Sequence, residues 1–467
     1  MKHWIVLALL LAAFAALAGR QVSDSPWAYD EADYMFAASR GLWANLTDTP
    51  TLTIAEFAHL GFTRGLEHGS RADLSERIRT GNDIVFYRHW HGPLYFYWLI
   101  AISHFTSDEQ TIRALGLIFP ALGALLIYWA CLRLAGSPAA ILATALYLSS
   151  DAVVRSSELA PHQLFALCSL AALFLLASMM KTGERRWWYG AVVCCALAAC
   201  TLEVAFVTVI TAMICGHLKR RELSADLPFA LKSIALFLGT LLVVWPAALL
   251  KLSIVKAYAF MAWLALFRAH AWGTNLGVWQ VWLKRLETAP FEWMLVVIGA
   301  IIFLGMPAAE RRTLLPFALF GVLMVAAVFR VNGDAARYTL PFLPALDVLA
   351  GTTLGWYLAS MSRTRGAAIT AILCLALFCG RAYESRSRPG TDFHAEEMLA
   401  WMRDHNLERS RVLAPQGDLP TLHYYFPNAV ITGYFDESSF TAARAHGGFA
   451  AVLLPGAPLR YQLNPQP

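Results

Sequence analysis

Apolar runs of about twenty residues recur along this chain. Only a helix can carry such a run through a bilayer, because each backbone N–H and C=O must then be satisfied within the segment itself. The runs fall at 112–134, 138–155, 161–180, 187–217, 228–250, 291–308, 314–331, 340–359 and 366–383, after a first one that ends near Gly19. Hydrophobic residues make up 58% of the 467 and charged residues 15%, so these runs are the body of the protein. The expected class is a polytopic α-helical membrane protein.

Basic residues orient the runs. Arg133, Lys181 with Arg185 and Arg186, Lys219-Arg220-Arg221, Arg311-Arg312 and Arg363 with Arg365 should all face the cytoplasm. Both ends of 187–217 are then cytoplasmic, which predicts a hairpin turning near Thr201-Leu202-Glu203. With that hairpin counted twice, the chain makes about eleven crossings, with its N-terminus inside and its C-terminus outside. The stretch 94–106 is too short to cross and is expected to insert part-way. The N-terminal run is open to two readings, a signal peptide cleaved after Ala16-Leu17-Ala18 or an uncleaved first span.

A membrane domain is therefore expected over 1–383, with two large outer loops. The first, 21–93, holds amphipathic stretches at 30–46 and 53–79. The second, 251–290, spaces Trp263, Trp272, Trp279 and Trp282 among Lys256, Arg268, Lys284 and Arg285, as a headgroup-level helix or a plain aromatic belt would. Beyond 384 charges become frequent and apolar runs shrink to four or five residues. Helices at 394–405, 419–426 and 438–446 should alternate with strands at 411–414, 429–432 and 449–454. That pattern predicts a small extramembrane α/β domain over 384–467 with a parallel sheet. The eight cysteines all lie in apolar runs, which suits buried small hydrophobes better than disulfides or metal ligands. A net charge of +5 without a basic, aromatic block argues against nucleic acid as a partner.

Candidate chemistry gathers on the predicted outer face. Asp30 and Glu31, about ten residues beyond the first run, place carboxylates where a general base on an acceptor hydroxyl is useful; the same pair also suits the positive end of a helix dipole. The first loop closes on His89-Trp90-His91-Gly92-Pro93, where proline can open a helix that begins with Leu94 and Tyr95. His89 and His91, with Glu67 and His68, form a candidate set for a divalent metal, although no cofactor is required by the sequence. Arg155 and His162 lie between two spans, Glu203 at the hairpin turn, and Arg337-Tyr338 ahead of a late span. An arginine fork at a membrane surface matches phosphate oxygens, and equally suits snorkelling to headgroups.

Three stretches resemble one family, the GT-C glycosyltransferases that take a sugar from a polyprenyl-phosphate carrier. The segment Asp30-Glu31-Ala32-Asp33-Tyr34 sits where that family carries a first-loop acidic motif. The run His91-Gly92-Pro93-Leu94-Tyr95-Phe96-Tyr97-Trp98 resembles its His/Lys-Pro-Pro-Leu-Tyr-Tyr-Trp segment, with glycine for the first proline. Arg337-Tyr338-Thr339-Leu340-Pro341-Phe342-Leu343-Pro344 resembles its Arg-Tyr-x-Leu-Pro-x-x-Pro segment. Lipid A aminoarabinose transferases and the protein O-mannosyltransferase superfamily are the branches most similar.

The resemblance implies a membrane glycosyltransferase working on the outer face of a bacterial inner membrane, with a polyprenyl-phosphate sugar as donor and inversion at the anomeric carbon. The acceptor would be a glycan, a lipid or a protein. It implies Asp30 and Glu31 as the catalytic carboxylates and His91, Arg337, Tyr338 and Arg155 as the donor-phosphate site, with Tyr95, His162 and Glu203 touching substrate. One departure stands out. The family often has Thr-Lys where this chain has Thr201-Leu202-Glu203. That difference keeps a non-catalytic alternative in view, either a lipid-linked-sugar transporter or a degenerate GT-C subunit.

Overall fold

The computed structural model describes residues 2–39, 41, 91–156, 160–250, 277–331, 336–386, 393–434, 437–445, 447–454 and 460–463. Two compact units emerge. One comprises Met1–Val22, Arg113–Pro246 and Met261–Pro389; the other comprises Ser23–Ile112, Ala247–Phe260 and Gly390–Pro467. The first-loop segment thus groups with the C-terminal segment, far from it in sequence.

The first unit is a helical bundle. Among the described residues six helices are long and apolar enough to cross a membrane: His3–Gln21, Glu109–Ala135, His162–Thr182, Leu227–Val244, Ala308–Val328 and Arg363–Glu384. The pair Val278–Thr288 and Pro290–Gly305, bent by 97°, makes a seventh if it is one span. The chain is a multi-pass membrane protein, but the expected count of about eleven crossings is not confirmed. The reason is length. Ser137–Ser149 has 13 residues and the hairpin arms Arg185–Ala199 and Phe206–Leu218 have 15 and 13. At 1.5 Å per residue such helices reach only ~20–22 Å, short of a hydrocarbon core of ~30 Å. The hairpin itself is present, turning through Glu203–Ala205. Leu94–Ser103, with 10 residues, is likewise too short to cross. The N-terminal helix buries Leu7, Leu10, Phe14 and Leu17, and its follow-on residue Gln21 donates to the Ser385 carbonyl at 3.1 Å.

Small residues set the closest approach in the bundle. Ser137–Ser149 packs along Leu343–Ala359, where a Cβ on Gly351 would fall on the Ala143 backbone and one on Gly355 on the Ala139 backbone. Two small residues four apart on each helix let the backbones touch, the usual route to tight association where lipid removes any hydrophobic drive between helices. Gly299 does the same against Ala350, and the Thr353 hydroxyl donates to the Gly299 carbonyl at 3.0 Å.

A charge cluster fastens three helix ends within this unit. The Arg381 side chain, 4% exposed, donates to the Ser149 carbonyl at 2.8 Å, Asp151 at 2.8 Å and Glu292 at 3.1 Å, and pairs with Glu384 at 2.9 Å. Glu292 also accepts from the Ser150 hydroxyl at 2.7 Å and the Asp151 N–H at 3.2 Å. Removing the guanidinium would strand buried carboxylates, at a cost of about 3–5 kcal/mol.

In the second unit the C-terminal segment forms the expected alternation. Helices Phe393–Asp404, Leu419–Tyr425 and Glu437–Ala445 precede in turn strands β1 (Arg411–Pro415), β2 (Val430–Tyr434) and β3 (Ala451–Leu454). β1 pairs in parallel with both β2 and β3. A fourth strand that the pattern did not announce, β4 (Arg460–Leu463), adds antiparallel to β3, giving the order β2-β1-β3-β4. Leu413 and Val452 pack with Tyr434, Ala443 and Phe449 to form the core on one side of this sheet.

Candidate functional site

The first-loop carboxylates lie on the helix Tyr29–Ser39. Its entry is sharply bent. Tyr29 adopts a left-handed backbone with φ 47°, unusual for a residue with a Cβ, and the Glu31 N–H donates to the Ala28 carbonyl at 3.1 Å. Asp30 is exposed and Glu31 half-buried in the first turn, at the positive end of the helix dipole. Beyond those two, Ala32, Asp33, Tyr34, Met35, Ala37 and Ala38 are buried. Of the stretch 30–46 expected to be amphipathic, 30–39 fall on this helix, and 40 and 42–46 lie outside the described residues.

Tyr34 joins this acidic helix to the His91–Trp98 motif. Its hydroxyl lies 3.4 Å from His91 Nε2, and its ring meets those of His91 at 5.8 Å, Tyr95 at 6.3 Å and Phe96 at 5.8 Å. Two motifs separated by sixty residues of sequence thus share one aromatic knot, and Tyr95 is buried in it. His89, Glu67 and His68 lie outside the described residues. Among those described, no group of three or more His, Cys, Asp or Glu is arranged to hold a metal ion.

The helix Leu419–Tyr425 covers the other side of the acidic helix. Trp27, fully buried three residues before Asp30, donates its N–H to the Tyr425 hydroxyl at 2.7 Å. That hydroxyl in turn donates to Glu109 Oε1 at 2.9 Å. The Tyr29 ring lies alongside Gly417, and Phe36 meets the His423 ring at 6.3 Å between centroids. Burial pushes the Tyr425 phenol well above its ordinary range and pulls the His423 imidazole down to about 4. A His394–Asp418 pair at 2.9 Å flanks the same helix start.

In the bundle unit the predicted cations have partners. Arg155 pairs with Asp151 at 2.9 Å, and Asp151 bridges it to Arg381. The turn Ala336–Tyr338, which carries Arg337 and Tyr338, packs against the helix Asp151–Val154 that leads into Arg155. Arg337 stacks over the Tyr338 ring at 5.2 Å. Those two predicted phosphate-binding segments are therefore neighbours. His162 opens the helix His162–Thr182 and Glu203 opens the hairpin turn, as expected from their positions. Of the loop 251–290 only the part from 277 is described. There Arg285 is buried and donates to the Val331 carbonyl at 3.0 Å, so it serves the protein interior instead of a headgroup, while Trp279 remains exposed. The cysteines described are all unbridged.

Sequence reasoning missed Trp27, Tyr425 and the Arg381 cluster. The cluster had a signal, because a charged residue inside or beside an apolar run is costly and implies a partner. Tyr425 had none, since its partner Trp27 lies 398 residues away.

The fold is shared with known enzymes. ArnT from Cupriavidus metallidurans in the apo state superposes with a TM-score of 0.61 at 12% identity, over 97% of this chain and 93% of that one. The archaeal oligosaccharyltransferase AglB from Archaeoglobus fulgidus, in complex with an inhibitory peptide and a dolichol-phosphate, gives 0.57 at 11% identity, over 97% and 69%. The arabinofuranosyltransferase AftD from Mycobacteria gives 0.53 at 13%, over 97% and 35%. The chain therefore has the GT-C glycosyltransferase fold that its motifs implied. Residues 91–246, which begin at the His91 motif, match the family described as dolichyl-phosphate-mannose-protein mannosyltransferase. No curated protein sequence matches the chain.

Proposed function

We infer that this protein is a membrane glycosyltransferase, moving one sugar from a polyprenyl-phosphate donor to an acceptor on the outer face of a bacterial inner membrane. The observation that carries this reading is the exposed Asp30 carboxylate on a helix locked by Tyr34 to the His91 motif, in a chain of GT-C fold. An ArnT structure with undecaprenyl phosphate bound shares that fold at TM-score 0.60 and 12% identity, which supports a lipid phosphate as the carrier.

In this reading an acceptor hydroxyl attacks the anomeric carbon as its proton passes to Asp30, with Glu31 in support. The bond from that carbon to the phosphate oxygen breaks, its electron pair leaves on the lipid phosphate, and the configuration inverts. Arg337, Tyr338, Arg155 and His91 recognise the phosphate and its growing charge, and Tyr95, His162 and Glu203 help hold the substrates. A phosphate leaves readily, so orientation contributes as much as proton removal. Glu203, in place of the family's lysine, keeps the non-catalytic carrier-binding reading as the second one.

The test is transfer of radiolabel by purified protein in nanodiscs, from a panel of polyprenyl-phosphate sugars to membrane-extract acceptors. Asp30→Asn should cut turnover by about a hundredfold or more while leaving donor binding in place. Wild-type protein that binds carrier but transfers nothing would favour the non-catalytic reading.

A further inference from the structure

The C-terminal α/β segment has no assigned task, yet its helix Leu419–Tyr425 lies on the helix that bears Asp30. Three contacts join the two helices and the residues that lead into them: Trp27 N–H to the Tyr425 hydroxyl, the Tyr29 ring beside Gly417, and the Phe36 ring against His423. Two of the three fall on the approach to Asp30, and the third, at Phe36, lies six residues beyond it. The first two flank the point where the backbone turns through the left-handed Tyr29, the least favourable conformation in the segment for a residue with a Cβ. A strained entry persists only if its surroundings fix it.

Tyr425 is suited to that task. A phenol offers one proton and two lone pairs. Here it accepts from the Trp27 N–H at 2.7 Å and donates to the Glu109 carboxylate at 2.9 Å. The carboxylate polarises the hydroxyl, which strengthens its hold on the Trp27 amide. Trp27 is itself fully buried, so its peptide cannot drift without moving a large ring. One residue on from this anchor, the Ala28 carbonyl accepts the Glu31 N–H at 3.1 Å and so sets the first turn of the acidic helix.

The geometry points to Tyr425 as a positioning residue: the C-terminal segment, through the Glu109–Tyr425–Trp27 chain, fixes the direction in which Asp30 is presented. This inference rests on the assignment of Asp30 as the acceptor-facing carboxylate. Its structural half, the hold on Trp27–Glu31, stands apart from any activity.

The test uses full-length protein in nanodiscs. Tyr425→Phe removes both hydrogen bonds and keeps the ring. Hydrogen exchange read by mass spectrometry should show the amides of Trp27–Glu31 exchanging about tenfold faster or more, with His162–Thr182 unchanged. Unchanged protection at Trp27–Glu31 would overturn the proposal whether or not the protein is active. In the transfer assay kcat should fall about tenfold or more, while competition by undecaprenyl phosphate shifts less than twofold. Glu109→Gln, which can still accept from the phenol, should stay within about threefold of wild type, and Glu109→Ala should resemble Tyr425→Phe. In an Asp30→Asn background Tyr425→Phe should cost nothing further, the signature of one residue acting through the other. Additive losses in that cycle, or a full kcat in Tyr425→Phe, would sink the positioning role. An inactive wild type would instead count against the assignment of Asp30, and the exchange result would still decide the hold on Trp27.

Discussion

His162–Thr182 and Leu227–Val244 are nearly twins by hydropathy. In the bundle they are opposites. In the apolar stretch of the first 72% of the residues are buried, and in that of the second 11%. Leu227, Leu231, Ile234, Leu238 and Leu242 all remain exposed along Leu227–Val244, a continuous lipid-facing stripe, while Phe229 is its buried contact. His162–Thr182 buries thirteen side chains, among them Phe174, whose ring meets Phe317 edge-on at 4.9 Å. Hydropathy therefore places a helix in the membrane without saying which neighbours it has. Lipid tails and protein side chains are equally apolar, so the difference lies in shape complementarity and small residues.

The hardest blow to the packed side of this contrast is Gly351→Leu. A side chain there must displace the Ala143 backbone, so little folded protein should survive detergent extraction and size-exclusion chromatography. A medium effect is expected from acid, and it concerns the other unit. His423 is held neutral by burial, with its folded pKa near 4 against an ordinary 6.5. Between those values the unfolded chain binds the extra proton. Stability is therefore full above pH 6.5 and declines as pH falls towards 4, by up to about 3 kcal/mol. Hydrogen exchange should show Tyr29–Ser39 losing protection over that window while His162–Thr182 does not, and His423→Phe should flatten the trend. The finest comparison pairs Leu173→Ala with Leu238→Ala. The buried position should lose about 2 kcal/mol or more in unfolding from mixed micelles, and the lipid-facing one less than about 0.5 kcal/mol. Equal losses at the two sites would erase the contrast.

Much of the fold was legible. The membrane class, the hairpin turning near Thr201-Leu202-Glu203 and the C-terminal alternation of helix and strand all follow from local hydropathy and period. β4 escaped notice because Arg460–Leu463 is only 4 residues long and gains strand character by pairing with β3. The site was legible in part. The Asp30 and His91 motifs were visible as motifs, but their meeting through Tyr34 was not. The Arg155–Asp151 pair, four residues apart, was open to sequence spacing, but the bridge from Asp151 on to Arg381 was not.

What the sequence determined by itself are the properties that each segment carries alone: which stretches are apolar enough for a bilayer, where a chain must turn, and which motifs bear carboxylates and cations. The tertiary structure decided which of two equally apolar helices lies at the centre, that Arg381 gathers Asp151 and Glu292, and that Tyr425 holds Trp27 across 398 residues. The physical reason is range. Hydropathy and periodicity are sums over neighbours in the chain, whereas close packing and hydrogen bonding depend on groups that meet only once the chain has folded.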